Sequence, residues 1–422
     1  MKCKIEKSRI LGQIVCPSNK SYSHRAIFLA SLAGNNSKVE NFLSSADITA
    51  TIEACKKFGA EIEIQNSTIT IKNPIKLGTN VPEINTENSG TTIRIASGIA
   101  SLFSNEITLT GDASLIKRPM QPLLDALESI GAQCESTDGK PPIKIKGKIL
   151  GGDVSIPGNL SSQFVSALLI CAPLTEKGIS LNIEGNLVSK PYLDATIATM
   201  RKFGISVQTL IPYKRYNITP QIYKSATFTV PIDFSSLALL LAAAVLNGDE
   251  VKIKGNIGTL PQGDEVFIDI LEQLGVTVVI NDEEIKIKSP EKLRGGKFDL
   301  SNSPDLLPPL AILSLNTSSP IEITNVKHAR LKETDRIAII AREMIKLGIK
   351  IQENDDGLIL ESSGTLKGAE LNSENDHRLF MAFCIAGMYV GNCTVTDPES
   401  VNVSYPNFIE EMNTLGARIK VQ

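Results

Sequence analysis

The sequence predicts an α/β protein built as two similar domains, each made of three repeated α/β units with buried helices and outer sheets. Three observations lead to this prediction. The chain has 422 residues, which is long for one compact core, so two domains are expected. One pattern of helix, glycine and strand occurs six times. Each repeat also contains a strongly apolar second helix, and a helix that is apolar all round belongs inside its domain.

The repeat is recognised by a glycine between an apolar helix and an alternating strand. Glycine suits the left-handed conformation that ends a helix before a strand. The six segments are residues 58–62, 130–134, 203–207, 274–278, 347–351 and 415–419. Their glycines are spaced by 72, 73, 71, 73 and 68 residues. Units of about this length fill the chain and divide into two domains of three.

The second helix of each repeat begins at a short polar stretch. The six stretches are residues 18–21, 88–91, 159–163, 233–236, 302–305 and 375–378. If the six helices point their N-termini the same way, these polar openings converge. Segments that alternate, such as residues 62–64 and 251–254, predict half-exposed strands.

The composition is that of an ordinary globular protein with an aliphatic core. The chain is 42% hydrophobic and 21% charged, it contains no Trp, and its formal net charge is −3. Nothing global therefore indicates a nucleic acid or a membrane surface as partner. The longest apolar run, residues 237–246, is about half of a membrane span. Anion binding would have to come from a local concentration of Lys and Arg.

Cysteine and histidine usage indicates a reducing compartment and no metal. The seven cysteines form no C-x-x-C pair, which predicts reduced, mostly buried thiols in a cytoplasm-like compartment. The three histidines lack metal-ligand spacing, so a zinc site is not expected. The charged N-terminal segment does not suit a signal peptide.

Cations concentrate at the polar openings despite the acidic total. The first opening carries Lys20 and Arg25, the second carries Asn88 to Thr91 with Arg94 one turn later, and Arg118 follows in a proline-rich loop. Free backbone N–H groups, hydroxyls and cations together form an anion-binding site. For each stretch alone, an ordinary capped helix with solvated charges explains the residues equally well.

The second half of the chain carries acid–base candidates. Asp305 is embedded in apolar sequence, where a carboxylate is either a helix cap or a base. If Thr334 or Asp335 caps the following helix, Lys332 and Glu333 lie on the preceding loop. Arg336 would then occupy the first turn, where the helix dipole disfavours a cation unless an anion lies opposite.

Taken together, these motifs resemble the enolpyruvyl transferases, and most closely the branch that acts on shikimate 3-phosphate. The matching stretches run in family order and comprise residues 17–21 with Arg25, 88–94, 111–112 with 118–120, 161–164, 189–192, 332–336 and 376–378. The resemblance implies a domain of residues 14–228 and a second of residues 1–13 and 229–422, with the N-terminal strand joining the C-terminal domain. It also implies a cytoplasmic monomer that needs no cofactor or metal.

The reaction implied is transfer of the enolpyruvyl group of phosphoenolpyruvate to the 5-hydroxyl of shikimate 3-phosphate, with release of phosphate, in the shikimate pathway. Both substrates are small anions, which the clustered cations suit. The resemblance places shikimate 3-phosphate on Lys20, Ser21, Arg25, Ser161, Ser162, Gln163, Ser189, Tyr192, Asp305, His328 and Lys332. It places phosphoenolpyruvate on Lys20, Asn88, Gly90, Thr91, Arg118, Gln163, Arg336 and Arg378.

The implied mechanism is addition and elimination through a tetrahedral intermediate. Asp305 and Lys332 would handle the hydroxyl proton, and Glu333 or Lys332 would protonate the methylene carbon. Two positions depart from many relatives: Val403 stands where a Lys is usual, and His328 stands where an Asn is usual. A histidine there would add a pH dependence if it titrated near neutrality.

Two other functions compete with this interpretation. The first is enolpyruvyl transfer to UDP-N-acetylglucosamine, whose enzymes usually carry a reactive Cys in the loop around residues 114–118; this chain has no Cys between residues 56 and 133. The second is a non-catalytic repeat protein that binds phosphorylated ligands or RNA ends. The acidic balance and the embedded Asp305 disfavour it.

Overall fold

The structure, a computed structural model, describes residues 1–81, 83–281 and 284–422, without the side chain of Asp249. The α-helices are α1 (Lys20–Ala33), α2 (Ala46–Lys57), α3 (Gly90–Ala100), α4 (Gln121–Ser129), α5 (Ser162–Cys171), α6 (Lys190–Lys202), α7 (Phe234–Asn247), α8 (Val266–Gln273), α9 (Leu307–Leu313), α10 (Arg336–Lys346), α11 (His377–Val390) and α12 (Phe408–Thr414). Short 3₁₀ turns include Leu115–Lys117, Gly263–Glu265, Pro304–Leu306, Lys327–Leu331 and Pro398–Val403.

The strands are short and numerous. They are β1 (Lys2–Ile5), β2 (Ile10–Val15), β3 (Lys38–Glu40), β4 (Glu61–Gln65), β5 (Thr68–Asn73), β6 (Glu83–Asn85), β7 (Ile107–Thr110), β8 (Gln133–Thr137), β9 (Lys140–Lys146), β10 (Gly152–Pro157), β11 (Ile179–Glu184), β12 (Gln208–Ile211), β13 (Arg215–Ile218), β14 (Thr227–Thr229), β15 (Gly248–Lys254), β16 (Thr277–Ile280), β17 (Glu284–Lys288), β18 (Gly296–Asp299), β19 (Ile321–Thr324), β20 (Ile349–Asn354), β21 (Gly357–Ser362), β22 (Glu370–Leu371), β23 (Cys393–Thr396) and β24 (Ile419–Val421).

The described strands form six sheets of four strands each, one for each predicted repeat. The second repeat shows the pattern: β6, α3, β7, α4, β8 and β9 follow in sequence, and the sheet order is β6-β7-β9-β8. Its first two strands are parallel and the others are antiparallel. A parallel pair needs a crossover connection, which is why the apolar helix lies between the first two strands. The predicted fold class is confirmed.

The six repeat glycines adopt the predicted left-handed backbone. Their φ angles range from 80° at Gly204 to 114° at Gly131. In each repeat the glycine follows the helix that does not begin at a polar opening, namely α2, α4, α6, α8, α10 or α12, and precedes a short strand. The glycine period therefore marks the point where each unit turns from helix to sheet.

The chain divides into two compact units, one of residues 18–231 and 259–262, the other of residues 1–17, 232–258 and 263–422. In the second unit the N-terminal segment contributes two strands rather than one. β1 pairs with β23 and β24, and β2 pairs with β15. The domain limits that the resemblance implies, at residues 13/14 and 228/229, stay a prediction.

Each unit has its own aliphatic core around the apolar helices. In the unit of residues 18–231, α3 and α5 pack so closely that a Cβ on Gly98 would lie 2.8 Å from the backbone oxygen of Ala167. In the other unit, every residue of α7 is buried. The predicted burial of the second helices is therefore confirmed there. Among the described residues, no helix is both long and apolar enough to span a membrane.

Candidate active site

The first opening places the ammonium group of Lys20 at the start of α1. Asn19 caps the helix, because its side-chain oxygen accepts a hydrogen bond of 2.7 Å from the backbone N–H of Tyr22. Lys20 is the first helical residue, and its Nζ lies 3.0 Å from Oδ2 of Asp47 at the start of α2. Ser21 follows Lys20 in the first turn of the helix, where both residues are half-buried. The sequence left two alternatives for this stretch, a capped helix and an anion-binding site. The structure is compatible with both, because the capped helix start also carries Lys20.

Arg25 lies one turn deeper and is fully buried. Its guanidinium donates to the hydroxyl of Thr196 (2.7 Å) and to the backbone oxygens of Ser21 (2.9 Å) and Tyr192 (3.1 Å). These acceptors are neutral, so they satisfy the N–H groups without cancelling the charge. Burial lowers the pKa of Arg25 to about 10, which still leaves it positive at neutral pH. A buried positive charge of this kind suits an anionic ligand.

The opening of α3 brings glycine, amide and guanidinium together. Oδ1 of Asn88 accepts a hydrogen bond of 3.0 Å from Arg118, and its Nδ2 donates to Asp112 at 2.7 Å. A Cβ on Gly90 would lie 2.8 Å from Nη1 of Arg118. Glycine is therefore needed for the Arg118 guanidinium to lie against the first turn of α3. Arg118 itself is buried.

Gln163 links the openings of α3 and α5. Its Nε2 donates to the Thr91 hydroxyl at 3.0 Å, and its Oε1 accepts from Arg94. Ser161 caps α5 by accepting the Gln163 backbone N–H at 3.3 Å. Ser162, the first residue of α5, is buried. Gln163 is thus held between two helix starts, with its amide fixed in orientation.

Ser189 and Tyr192 lie at the start of α6. Ser189 precedes the helix in a left-handed conformation, with φ 55°, and is buried. Tyr192 accepts the Arg25 hydrogen bond through its backbone oxygen rather than its phenol. The structure thus joins the predicted residues of α1 and α6 through the main chain of α6.

In the other unit, Asp335 caps α10, accepting a hydrogen bond of 3.0 Å from the backbone N–H of Ala338. Of the two predicted caps, Asp335 is therefore the correct one. Arg336 occupies the first turn, as expected, and the anions opposite it are the protein's own carboxylates. It donates to Asp305 at 2.7 Å, to Glu333 at 2.8 Å and to Asp376 at 2.7 Å.

Asp305 lies among three cations. Its Oδ1 is 2.7 Å from Arg336 Nη1, 3.6 Å from Arg378 Nε and 3.8 Å from Lys332 Nζ. Burial alone would raise the pKa of this carboxyl, but the charges of Arg378, Lys332 and Arg336 lower it well below its usual range. Asp305 is therefore a carboxylate, and not a carboxylic acid, throughout the neutral range.

Lys332 and His328 have lowered pKa values. Burial lowers the pKa of Lys332, with the charges of Arg336 and Arg378 acting in the same direction and those of Asp305 and Glu333 opposing them. About a quarter (26%) of the Lys332 side chain is exposed. Burial, followed by the charge of Lys332, lowers the pKa of His328 to about 4, so the expected titration near neutrality is not found there.

Arg378 is the second residue of α11, and its backbone N–H donates to the capping carboxylate of Asp376 at 2.9 Å. Asp376 thus serves both as cap of α11 and as partner of Arg336. The predicted catalytic residues Asp305, Lys332 and Glu333 thus lie in one cluster with Arg336 and Arg378, which were predicted to bind phosphoenolpyruvate.

Three partners of the site were absent from the predicted set. Asp47 holds Lys20, Thr196 holds Arg25, and Asp376 holds Arg336. Asp47 follows two serines at a helix start, the same signal that marked the other openings. Thr196 gives no such signal, since it lies inside α6 and meets Arg25 only through helix packing.

The profile of the EPSP synthase family, that is 3-phosphoshikimate 1-carboxyvinyltransferase, matches residues 5–412 of the chain. The chain belongs to the EPSP synthase family. A 3-phosphoshikimate 1-carboxyvinyltransferase of Nitrosopumilus maritimus is 83% identical over 420 residues, with 100% of both chains covered. The enzyme of the same name from Methanosphaera stadtmanae is 39% identical over 431 residues, covering 98% of this chain and 99% of the relative.

A solved structure of EPSP synthase from Acinetobacter baumannii has the same fold. The two structures superpose with a TM-score of 0.83 at 28% sequence identity, and the match covers 100% of this chain and 99% of the Acinetobacter baumannii chain. The EPSP synthase family transfers the enolpyruvyl group of phosphoenolpyruvate to the 5-hydroxyl of shikimate 3-phosphate and releases phosphate. This chain is an enzyme that catalyses that reaction. The shikimate branch predicted from the motifs is confirmed, which places the enzyme in aromatic amino-acid biosynthesis.

Proposed function

We propose that the chain carries out this transfer with the residues gathered at its helix openings, and that Asp305 and Lys332 handle the proton of the accepting hydroxyl. The observation that carries the proposal is the position of Asp305, a carboxylate with three cationic side chains within 3.8 Å. An ionised carboxylate orients a hydroxyl by accepting its hydrogen bond. Lys332 lies beside it, with Nζ 3.8 Å from Oδ1 of Asp305, and would exchange the proton with the hydroxyl.

In the unit of residues 18–231, the ligands assigned to shikimate 3-phosphate are Lys20, Ser21, Arg25, Ser161, Ser162, Gln163, Ser189 and Tyr192. Arg25 supports this assignment most directly, because its hydrogen bonds go to neutral oxygens and leave its charge uncompensated. A phosphate would supply the missing negative charge. The hydroxyls and the amide are donors and acceptors suited to a polyol ring.

In the same unit, the ligands assigned to phosphoenolpyruvate are Lys20, Asn88, Gly90, Thr91, Arg118 and Gln163. The first turn of α3 offers backbone N–H groups, and the absence of a Cβ at Gly90 lets the Arg118 guanidinium lie against that turn. Lys20 is assigned to both substrates. A single cation bound to both would help to hold the reacting groups together.

In the unit of residues 263–422, Asp305, His328 and Lys332 are assigned to shikimate 3-phosphate, and Arg336 and Arg378 to phosphoenolpyruvate. The planar guanidinium groups suit a phosphate or carboxylate. His328 is neutral above about pH 5, because its pKa is about 4. It would therefore contribute a hydrogen bond rather than a charge.

The transfer takes place in two steps. In the addition, the 5-hydroxyl gives up its proton to Asp305 or Lys332 and its oxygen bonds to the enol carbon of phosphoenolpyruvate, while the methylene carbon gains a proton from Glu333 or Lys332. In the elimination, the tetrahedral intermediate loses phosphate, and the methyl group returns a proton to restore the double bond. Guanidinium groups stabilise the negative charge that the departing phosphate gains.

Phosphate release measured with two acceptors tests the reaction. Release is expected with shikimate 3-phosphate and not with UDP-N-acetylglucosamine.

The role of Asp305 is tested by substitution. Asp305→Asn keeps the shape of the side chain and removes its charge, and is expected to lower kcat at least about 100-fold. Asp299→Asn, the same change at an exposed carboxylate of β18, is the control. Wild-type kcat in Asp305→Asn would exclude Asp305 from the mechanism.

Substrate assignment is tested at Arg25. Arg25→Lys keeps the charge but loses the fork that reaches three oxygens. It is expected to raise KM for shikimate 3-phosphate more than KM for phosphoenolpyruvate. Arg201→Lys, at an exposed position of α6, should leave both constants unchanged. Equal increases in both KM values with Arg25→Lys would contradict the assignment.

The oligomeric state and the compartment are also part of the proposal: a monomer in the cytoplasm. Support for a reducing compartment comes from the cysteines, because all seven are free thiols in the structure. Light scattering of the purified protein would test the monomer, and a second copy in the particle would contradict it.

A further inference from the structure

His24 forms a second contact between α1 and α2, one turn behind the pair of Lys20 and Asp47. Nδ1 of His24 lies 2.6 Å from the hydroxyl of Thr51. His24 is four residues after Lys20, and Thr51 is four residues after Asp47. Since residues four apart lie on the same face of a helix, the ion pair and the imidazole–hydroxyl contact are successive links between the same two helices.

The contact continues to the opening of α3. The hydroxyls of Thr51 and Thr92 lie 2.6 Å apart, and those of Thr92 and Ser89 are also 2.6 Å apart. Ser89 is the N-cap of α3, accepting the backbone N–H of Thr92 at 3.3 Å. His24, Thr51, Thr92 and Ser89 have no exposed surface. These four side chains, here called the His24 chain, therefore connect three helices beneath their openings.

The imidazole acts here as a hydrogen-bonding group and not as a charge. Burial, followed by the charges of Lys20 and Arg25, lowers the pKa of His24 well below its usual range. Its Nε2 is buried and has no hydrogen-bond partner among the described residues. A buried polar atom without a partner costs stability, so an apolar side chain would fill this space at lower cost. The hydrogen bond between Nδ1 and the Thr51 hydroxyl offsets the cost of burying Nε2 without a partner.

We propose that His24 is a positioning residue for the transfer: through Thr51 and Thr92 it fixes the distance between Lys20 and the first turn of α3 at Gly90. This inference rests on the proposed function, which assigns both positions to phosphoenolpyruvate. Lys20 is held at its tip by Asp47, whereas the His24 chain holds the helix that carries it. An error of about 1 Å in such a distance is enough to lower reactivity strongly.

Two substitutions at His24 separate the hydrogen bond from the packing. Asn and Leu both branch at Cγ into two terminal heavy atoms, and Leu is the bulkier of the two, so a defect that appears in His24→Leu and not in His24→Asn is not a cavity effect. Only Asn places a polar atom where Nδ1 was. His24→Leu is expected to raise KM for phosphoenolpyruvate roughly tenfold, and His24→Asn to restore it to within about twofold of wild type. Thermal unfolding of each variant shows that the kinetics are measured on folded protein.

A second pair of variants tests the hydroxyl in the middle of the chain. Thr51→Val removes the group that contacts both His24 and Thr92, and is expected to raise the same KM. Thr199→Val is the matched control, because Thr199 is also fully buried in a helix and its hydroxyl donates to a backbone oxygen, that of Ala195, at 2.7 Å. Thr199→Val should lower stability without changing KM.

Equal KM values for His24→Leu and His24→Asn would overturn the inference, as would a wild-type KM in Thr51→Val. Lys20→Met separates this failure from failure of the proposed function. If Lys20→Met leaves KM for phosphoenolpyruvate unchanged, the assignment of Lys20 is wrong and the positioning role falls with it. If Lys20→Met raises KM while the His24 variants do not, only the positioning role is wrong.

Discussion

Nη1 of Arg336 lies 2.7 Å from Oδ1 of Asp305, which joins the start of α10 to the 3₁₀ turn before α9. Arg336 is almost fully buried and also contacts Glu333 and Asp376. Burial would lower its pKa, but the carboxylates of Asp376, Glu333 and Asp305 raise it. One guanidinium therefore contacts three carboxylates, and the acid–base cluster is arranged around it.

Removing this guanidinium should destabilise the fold as well as stop the reaction. Arg336→Met removes the guanidinium that pairs with the buried Asp376 and also contacts Asp305 and Glu333, and the free energy of unfolding in urea is expected to fall by about 3–5 kcal/mol. Arg342→Met, on the same helix, removes a side chain that is 49% exposed, and Lys346 still pairs with its partner Glu343 at 2.6 Å, so this variant should cost less than about 1 kcal/mol. A loss at Arg336 no larger than at Arg342 would show that the cluster is not a structural centre.

Lys332 should be needed for turnover but not for folding. Its contact with Asp305 is long, at 3.8 Å, so its loss leaves Arg336 and Arg378 to compensate that carboxylate. Lys332→Met is expected to lower kcat by about 100-fold or more while the melting temperature stays close to wild type. Lys327→Met, in the preceding 3₁₀ turn and 69% exposed, is the control. Near-normal turnover without Lys332 would remove it from the mechanism.

The local parts of this cluster were predictable from the sequence, and its long-range contacts were not. A cap at Thr334 or Asp335 and the position of Arg336 in the first turn follow from neighbouring residues, because capping depends on the chain within one helical turn. The contact of Arg336 with Asp376 joins residues 40 positions apart and depends on how α10 and α11 pack. The same distinction explains why Arg25 was predicted as a ligand while Thr196, its partner, was not.

Asp264 should make stability depend on pH in an unusual direction. Burial, followed by the charge of Asp305, raises the pKa of this carboxyl from 3.8 to about 7. Between these values the folded protein keeps a proton that the unfolded chain has released, so stability falls as pH rises from about 4 to 7. The slope is at most about 1.4 kcal/mol per pH unit.

Asp264→Asn imitates the protonated carboxyl, which accepts the Ser235 hydroxyl hydrogen bond. Urea unfolding at pH 5 and pH 8 measures the effect. The variant is expected to match wild type more closely at pH 5 and to be more stable than wild type at pH 8. A difference between variant and wild type that is the same at both pH values would show that Asp264 does not titrate in this range.

His328 should leave the pH profile near neutrality unchanged. With its pKa lowered to about 4 by burial and by the charge of Lys332, the imidazole is neutral above about pH 5. The profile of kcat/KM for shikimate 3-phosphate between pH 6 and 8 is therefore expected to have the same shape in wild type and in His328→Asn. A limb of the profile that disappears with His328→Asn would place its titration in that range.

Gly90 and Gly98 lie on the same helix, α3, and should respond differently to alanine. At Gly90 the new Cβ meets Nη1 of Arg118 at 2.8 Å, whereas at Gly98 it meets the backbone oxygen of Ala167 at 2.8 Å. The Arg118 side chain can move away, and the α5 backbone cannot. Gly90→Ala is therefore expected to raise KM for phosphoenolpyruvate about tenfold with little loss of stability, since an alanine also favours the helix.

Gly98→Ala should instead lower the melting temperature and leave KM of the folded protein unchanged, because overpacking α3 against α5 costs about 1–3 kcal/mol. Steady-state kinetics and thermal unfolding of both variants provide the comparison. A fall in melting temperature at Gly90 as large as that at Gly98, with wild-type KM, would mean that Gly90 is required for packing. The first turn of α3 would then have no demonstrated role in binding phosphoenolpyruvate.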